Sequence, residues 1–256
     1  MSVKVLIATH KDYIFPDDII YHPILVGKSL SSLSWNYLSD DDDINISEKN
    51  KSFCELTALY WAWKNDFFKD VEYCGLVHYR RYFKGDLVFG KNTILDKHEI
   101  NKILNDCDLI VPKKRNYYIE SVEKHYKNAH YKDDLDAIKL IIKEMTPEYI
   151  DAFDSIMTQK KLHLYNMFIM RKEFFYDYCS WLFPLLFKLE MQIDISNYSN
   201  YQRRVYGFLA ERLFNVWVLH HKLNFKEIVT ENIEEENLMH KAFGLLKRKM
   251  NKKYKN

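Results

Sequence analysis

Four short apolar runs, spaced by stretches of helical periodicity, restrict the fold of this 256-residue chain more than any other feature. They are "VKVLIAT" at 3–9, "VEYCGLVHY" at 71–79, "CDLIVP" at 107–112 and "HLYNMFIM" at 163–170. Each is too short for a core helix and apolar at consecutive positions, the pattern of strands buried on both faces. The segments between them read as helices. "SFCELTALYWAWKN" carries Ser52 and Glu55 at capping-box spacing, which predicts a helix beginning near Phe53 with Glu55 at its cap. "ESVEKHYKNAH", "DDLDAIKLIIKEM" and "PEYIDAFDSIM" follow, the last with Thr146 at its cap and Pro147 at its first position. "KEFFYDYCSWLFPLLFKLEM" predicts a long buried helix with a break before Pro184. "NYSNYQRRVYG" is a polar, tyrosine-rich loop feeding "FLAERLFNVWVLHHKL". Strands alternating with helices predict an α/β fold: a mainly parallel central sheet flanked by helices, with a helix-rich C-terminal half. No internal repeat or low-complexity linker interrupts residues 1–230.

Composition narrows the function classes. A hydrophobic content of 47% supplies a sizeable core, and only 6 Gly and 5 Pro argue against linkers and all-β architecture. The net charge is +2, from 38 basic and 36 acidic side chains, so no global field points to nucleic acid and any polyanion site must be local. Cys54, Cys74, Cys107 and Cys179 show no metal-ligand spacing and fit reduced thiols. The N-terminal "MSVKVLIATHKDY" lacks a cleavage pattern, and no window approaches eighteen uncharged apolar residues, so a cytoplasmic protein is expected. Nineteen tyrosines are unusual; a tyrosine offers a flat apolar face and a hydroxyl, useful in core, rim and sugar or base sites alike.

Sheets of this class bind ligands beyond the carboxyl ends of their strands. Thr9, His10 and Lys11 leave the first strand, His78, Arg80 and Arg81 the second, and Arg171 and Lys172 the fourth. Guanidinium groups pair bidentately with phosphate oxygens and stay charged, so "GLVHYRRYF" at 75–83 suits a phosphate site. By period two Arg80 shares a face with His78 and is the favoured partner, Arg81 the second choice, while Tyr79 and Tyr82 offer stacking faces. A solvated strand end with two ion pairs is the plainer alternative. "SDDDDINISEKNKS" at 39–52 either presents Asp40 to Asp43 to a divalent cation or is solvated loop; its "NISEKN" offers Asn45, Lys49 and Asn50. Asn166, in an apolar run, is either a backbone-satisfied amide or a ligand contact. Glu211 and Arg212 stand near the start of an apolar helix, where acids are favoured; Glu211 is also the candidate for a partly buried general base.

The segments "VLIATHKDY", "YHPILVGKSL", "NISEKNKSFCELTALYWAWKN", "YCGLVHYRRYF", "YNMFIMRKEFF", "YCSWLFPLLFKLE" and "QRRVYGFLAERLFNVW" cover most of residues 3 to 217 in order. Together they resemble the bacterial capsular and exopolysaccharide glycosyltransferase family long carried as a domain of unknown function. The resemblance implies a GT-A-like glycosyltransferase domain over 1–235, a UDP-sugar donor (galactofuranose or galactose), and a lipid-linked glycan acceptor. For such an enzyme the residues singled out above become candidates: Glu211, Arg80 and His78 as catalytic residues, and Thr9, His10, Lys11, Asn45, Lys49, Asn50, Tyr79, Arg81, Asn166 and Arg212 as donor contacts. Typical GT-A enzymes hold a metal with Asp-x-Asp where this chain has His78-Tyr79-Arg80. The expectation is therefore a transferase without a metal cofactor, manganese being the less favoured possibility, in which fixed cations stabilise the departing diphosphate; an inverting reaction is favoured and a retaining one stays open.

Within the basic tail 236–256, the stretch from Met239 to Asn256 has no acid and seven Lys or Arg. It reads as a peripheral contact with the inner face of an anionic membrane, or as a disordered soluble tail. Three other functions compete: a non-catalytic nucleotide-sugar or carbohydrate-binding protein, phosphoryl transfer through His78, and single-stranded RNA binding, which the near-neutral charge disfavours.

Overall fold

The consecutive apolar positions of each run are divided between two cores on opposite faces of one sheet. Leu6, Ala8, Cys74, Leu76, Leu109, Val111, Phe168 and Met170 pack into one, Val5, Ile7, Tyr73, Val77, Ile110 and Ile169 into the other. Successive side chains of a strand point to opposite faces, so a sheet covered on both sides demands apolar residues at every position.

The computed structural model of the protein describes residues 2–233. Its strands are β1 (Val3–Thr9), β2 (Tyr21–Leu25), β3 (Leu38–Ser39), β4 (Tyr73–His78), β5 (Arg81–Phe89), β6 (Asn92–Ile94), β7 (Leu109–Pro112), β8 (Arg115–Asn116), β9 (Lys161–Leu162), β10 (Phe168–Arg171), β11 (Phe225–Ile228) and β12 (Thr230–Asn232). Its α-helices are α1 (Asn50–Phe53), α2 (Leu56–Lys64), α3 (Lys97–Leu104), α4 (Val122–Ala129), α5 (Lys132–Met145), α6 (Ile150–Thr158), α7 (Lys172–Glu190) and α8 (Val205–His220). The main sheet runs β11-β7-β10-β4-β1-β2-β3, and β5, extended by β6 and β12, pairs with the end of β4. It is mixed: β1 is parallel to β2 and β4, β2 to β3 and β7 to β11, whereas β10 lies antiparallel between β4 and β7. The basic tail 236–256 lies outside the described residues.

Two expectations about helix continuity come out reversed. Helix α7 runs unbroken through Pro184. Pro184 and Ser180, whose carbonyl loses its donor, both face solvent, so water can satisfy that carbonyl while nine buried side chains hold the helix. The expected helix from Phe53 is instead split at Cys54, which adopts φ 54°, ψ −135°. No capping box forms: Ser52 donates its hydroxyl to the Lys49 carbonyl at 3.1 Å, and Glu55 makes no cap hydrogen bond. Thr146 and Pro147 do start a helical segment, a 3-10 turn (Pro147–Tyr149) leading into α6, but without a side-chain cap.

The link between the sheet and α8 is a buried amide. Asn215 accepts the His163 N–H at 3.1 Å and donates to the carbonyls of His163 and Glu211 at 2.9 and 2.8 Å. His163, 2% exposed, donates Nδ1–H to the Pro112 carbonyl at 2.7 Å, fixing this segment to β7.

Two stability measurements follow. A Cβ at Gly75 would lie 2.5 Å from the Phe168 carbonyl oxygen and 2.8 Å from Ile169 Cγ1 on the neighbouring β10. Gly75→Ala is expected to cost about 1–3 kcal/mol, seen as a lower urea midpoint at unchanged m. Burial lowers the His163 pKa from 6.5 to about 4. The unfolded chain therefore takes up this proton first as pH falls. The contribution is intact above about pH 6.5 and is lost between there and about pH 4, on the order of 3 kcal/mol. His163→Asn, which keeps a donor for Pro112, should flatten that decline in urea titrations at successive pH values.

Candidate active site

A cavity of ≈ 680 Å³ opens where β1 and β4 end. At the end of β1, Thr9 is buried and its hydroxyl bridges Lys11, donating to the Lys11 carbonyl at 2.6 Å and accepting its N–H at 3.2 Å. That turn sets His10 on the cavity wall. Tyr79, also on the wall, is buried edge-on against His10 and Tyr13, with Lys11 Nζ 4.8 Å over its ring. Lys11 thus stands behind the wall and is not a lining residue.

The geometry of "HYRR" differs from a continued strand. β4 stops at His78, the chain turns through Tyr79 and Arg80, and β5 returns with Arg81 opposite His78. Arg80 therefore does not share a strand face with His78. It is exposed at the rim, whereas Arg81 is half-buried with its guanidinium 3.8 Å over the Tyr165 ring. Tyr82, expected to offer a stacking face, is fully buried beside Tyr21 and Phe89.

Antiparallel β10 brings the chain preceding it to this same edge. Tyr165 and Asn166 form a left-handed turn there, with φ 78° and 50°. His78 Nε2–H donates to the Tyr165 carbonyl at 2.7 Å. Glu211 Oε1 accepts the Tyr165 N–H at 2.7 Å, and Glu211 Oε2 accepts from Arg212 Nη1 at 3.0 Å. Asn166 Nδ2 donates to Glu55 Oε1 at 2.6 Å and to the Gly207 carbonyl at 3.2 Å. Burial lowers the His78 pKa, with Arg81 and Arg80 adding to the effect against Glu55 and the Tyr165 carbonyl. His78 is thus neutral at pH 7 and does not supply the positive charge expected of it. Burial raises the Glu211 carboxyl, against Arg212 and the Tyr165 N–H. Glu211 sits two turns into α8, so a helix-terminal role does not account for it.

The remaining wall comes from α1, the junction between α1 and α2, and the segment before α8. Lys51, Cys54, Glu55, Asn200, Arg203 and Arg204 line it. Arg204 Nε donates to Cys54 Sγ at 3.3 Å, yet burial, with Glu55 adding, pushes the thiol up to about 12. Cys54 stays protonated and is no nucleophile at neutral pH. Five cationic side chains, Lys51, Arg80, Arg81, Arg203 and Arg204, so face two carboxylates, Glu55 and Glu211.

Several expected site residues lie elsewhere or serve the scaffold. Asn45 staples its own loop through the carbonyls of Asp41 and Asp43, and Lys49 pairs with Glu190 at 2.6 Å. Asn50 does line the cavity, donating to the Cys54 carbonyl and the Thr57 hydroxyl. Arg212 is buried behind Glu211, donating to the Phe208 carbonyl under the Tyr126 ring. Asn166 orients Glu55. Arg171 and Lys172 are carried by antiparallel β10 to the opposite edge of the sheet, where Lys172 bonds the Lys69 carbonyl. Of the four aspartates, Asp40 is fully buried and accepts from the N–H groups of Gly27 and Lys28 and from the Ser47 hydroxyl. No cluster of three or more His, Cys, Asp or Glu able to hold a metal occurs among the described residues. In the cavity a divalent cation would meet five like charges and two carboxylates already hydrogen-bonded to the protein, a donor set that does not suit it. Besides the apolar Ala8 and Val26, the lining residues that sequence reasoning missed are Glu55, Lys51, Cys54, Tyr165, Asn200, Arg203 and Arg204. The adjacent arginines of "YQRRV" repeat the signal of "HYRRY" and could have flagged the last two.

The structure resembles the apo structure of WbbM, a bifunctional glycosyltransferase, with a TM-score of 0.82 and 32% identity. The match covers 91% of this chain and 45% of that one, so the chain spans less than half the length of WbbM. No curated protein matches it. The model of the family described as "Domain of unknown function (DUF4422)" matches residues 4–222, and the chain belongs to that family.

Proposed function

We propose that the protein is a glycosyltransferase that moves a hexosyl unit from a UDP-sugar, galactofuranose or galactose, to a hydroxyl of a lipid-linked glycan. The observation that carries this reading is the convergence of five cationic side chains and two carboxylates in one cavity at the carboxyl ends of β1 and β4. The likeness to WbbM over most of this chain supports it. Cleaving the bond between the anomeric carbon and the diphosphate develops negative charge on the leaving oxygens, and charge already in position stabilises it without reorganisation. Arg80 and Arg81 approach from the β4–β5 turn, Lys51, Arg203 and Arg204 from the helical wall. This arrangement favours a metal-independent reaction. The oxocarbenium-like transition state of an inverting transfer also needs a carboxylate opposite the leaving group to take the acceptor proton, and the cavity holds two. No helix among the described residues is long and apolar enough to cross a membrane. Contact with a lipid-linked acceptor at the inner face of the cytoplasmic membrane would then fall to the basic segment 239–256.

The test is hydrolysis of, and transfer from, a panel of UDP-sugars in EDTA and in manganese, with wild type and Arg81→Ala. Turnover should persist in EDTA, and Arg81→Ala should lower kcat/KM by about 100-fold or more. Turnover found only with manganese would remove the metal-free mechanism. UDP binding by calorimetry without turnover on any donor and acceptor would favour the binding-only alternative.

A further inference from the structure

We infer that Glu55 is the acceptor base and that Glu211 is a positioning residue; the assignment rests on the transferase reading above. The two carboxylates share the cavity but differ in what occupies their oxygens. Glu211 spends Oε1 on the Tyr165 N–H and Oε2 on Arg212. Its work is to hold the left-handed turn and the buried arginine behind it. Glu55 has only Oε1 engaged, by Asn166 Nδ2 at 2.6 Å, and its Oε2 makes no hydrogen bond with any described residue. One oxygen is fixed and the other remains for a substrate hydroxyl, the division a general base requires.

The backbone around Glu55 supports the same assignment. Cys54 adopts φ 54°, ψ −135°, a conformation costly for a residue with a side chain, and this splits α1 from α2 just before Glu55. The carboxylate gains no cap from the split, since α2 has no side-chain cap hydrogen bond. What it gains is a place in the cavity wall. Two neighbours maintain that geometry. Gly207 leaves room for Cys54, whose Sγ would lie 3.2 Å from a Cβ at 207. Asn166, at φ 50°, aims its amide at Glu55 while the same amide also bonds the Gly207 carbonyl.

In the step assigned to Glu55, the acceptor oxygen forms a bond to the anomeric carbon as the bond from that carbon to the diphosphate oxygen breaks. The breaking pair leaves on the diphosphate, beside the arginines. The acceptor hydroxyl's proton passes to Glu55 Oε2, so charge and atoms balance and the anomeric configuration inverts.

The experiment compares kcat, KM, UDP affinity and product configuration for wild type, Glu55→Gln, Glu55→Asp and Glu211→Gln. Glutamine at 55 can still accept from Asn166, so UDP affinity should stay within about twofold while kcat falls by roughly 100- to 10,000-fold. Glu55→Asp, which keeps a carboxylate, should recover part of that loss and covers the case in which the glutamine variant folds poorly. The acid limb of the kcat profile should be lost in Glu55→Gln and retained in Glu211→Gln, which should raise KM and lower kcat by less than about tenfold. Unchanged kcat in Glu55→Gln, or product formed with retention, overturns the assignment while leaving the transferase reading intact. A wild-type chain that turns over no donor overturns both.

Discussion

The left-handed turn at Tyr165 and Asn166 is the constraint on which the cavity depends. Two consecutive residues with side chains at positive φ are held in place by three groups: His78 on the carbonyl, Glu211 on the N–H, and Glu55 on the Asn166 amide. Such conformations cost on the order of 1–3 kcal/mol each and persist only where surrounding contacts fix them. The dependence runs both ways. The turn commits His78 Nε2, places the Tyr165 ring under Arg81, and orients Glu55, so losing any one contact disturbs groups contributed by three separate parts of the chain.

That turn reaches the cavity because one strand runs against the others. β1 and β4 are parallel and deliver the residues that follow them to one edge of the sheet. β10 is antiparallel to β4, with Phe168 opposite Leu76, so it delivers the residues that precede it to the same edge. Continuing that register sets Asn166 level with His78. The same reversal carries Arg171 and Lys172 to the far edge, where charge after a parallel strand would have been functional.

Much of this was legible in sequence, and the failures share a cause. Buried runs such as "VKVLIAT" and "CDLIVP" announce their strands because burial on both faces forces apolar residues at every position. α4 and α5 announce themselves by periodicity. The polar ends of β1 and β4 located the cavity, and Thr9, His10, His78, Tyr79, Arg80, Arg81, Asn50 and Glu211 do line it. Local patterns misled wherever a tertiary contact reassigned a polar group. Ser52 and Glu55 have capping-box spacing, but nothing local reveals that Asn166, 111 residues away, takes the carboxylate. Arg80 and His78 have strand spacing, but a turn intervenes. Strand direction is equally hidden, since "YNMFIM" reads the same either way.

The cavity's charge is costly to the empty protein. Burial and the neighbouring Arg80 both work against the charged form of Arg81, which is half-buried. Among the described residues, five like charges and two carboxylates line the ≈ 680 Å³ cavity. Such an excess is tolerable in a site meant to receive an anion, because the ligand supplies the missing negative charge and the desolvated cations then interact with it strongly. A neutral His78 fits this arrangement. A sixth cation would add repulsion, whereas an imidazole whose Nε2–H is committed to Tyr165 fixes the turn without adding charge. In the proposed reaction the arginines answer the diphosphate and the turn answers the carboxylates, so leaving-group stabilisation and acceptor activation are built from separate residues joined at Tyr165, where Arg81 covers the ring and Glu211 holds the backbone.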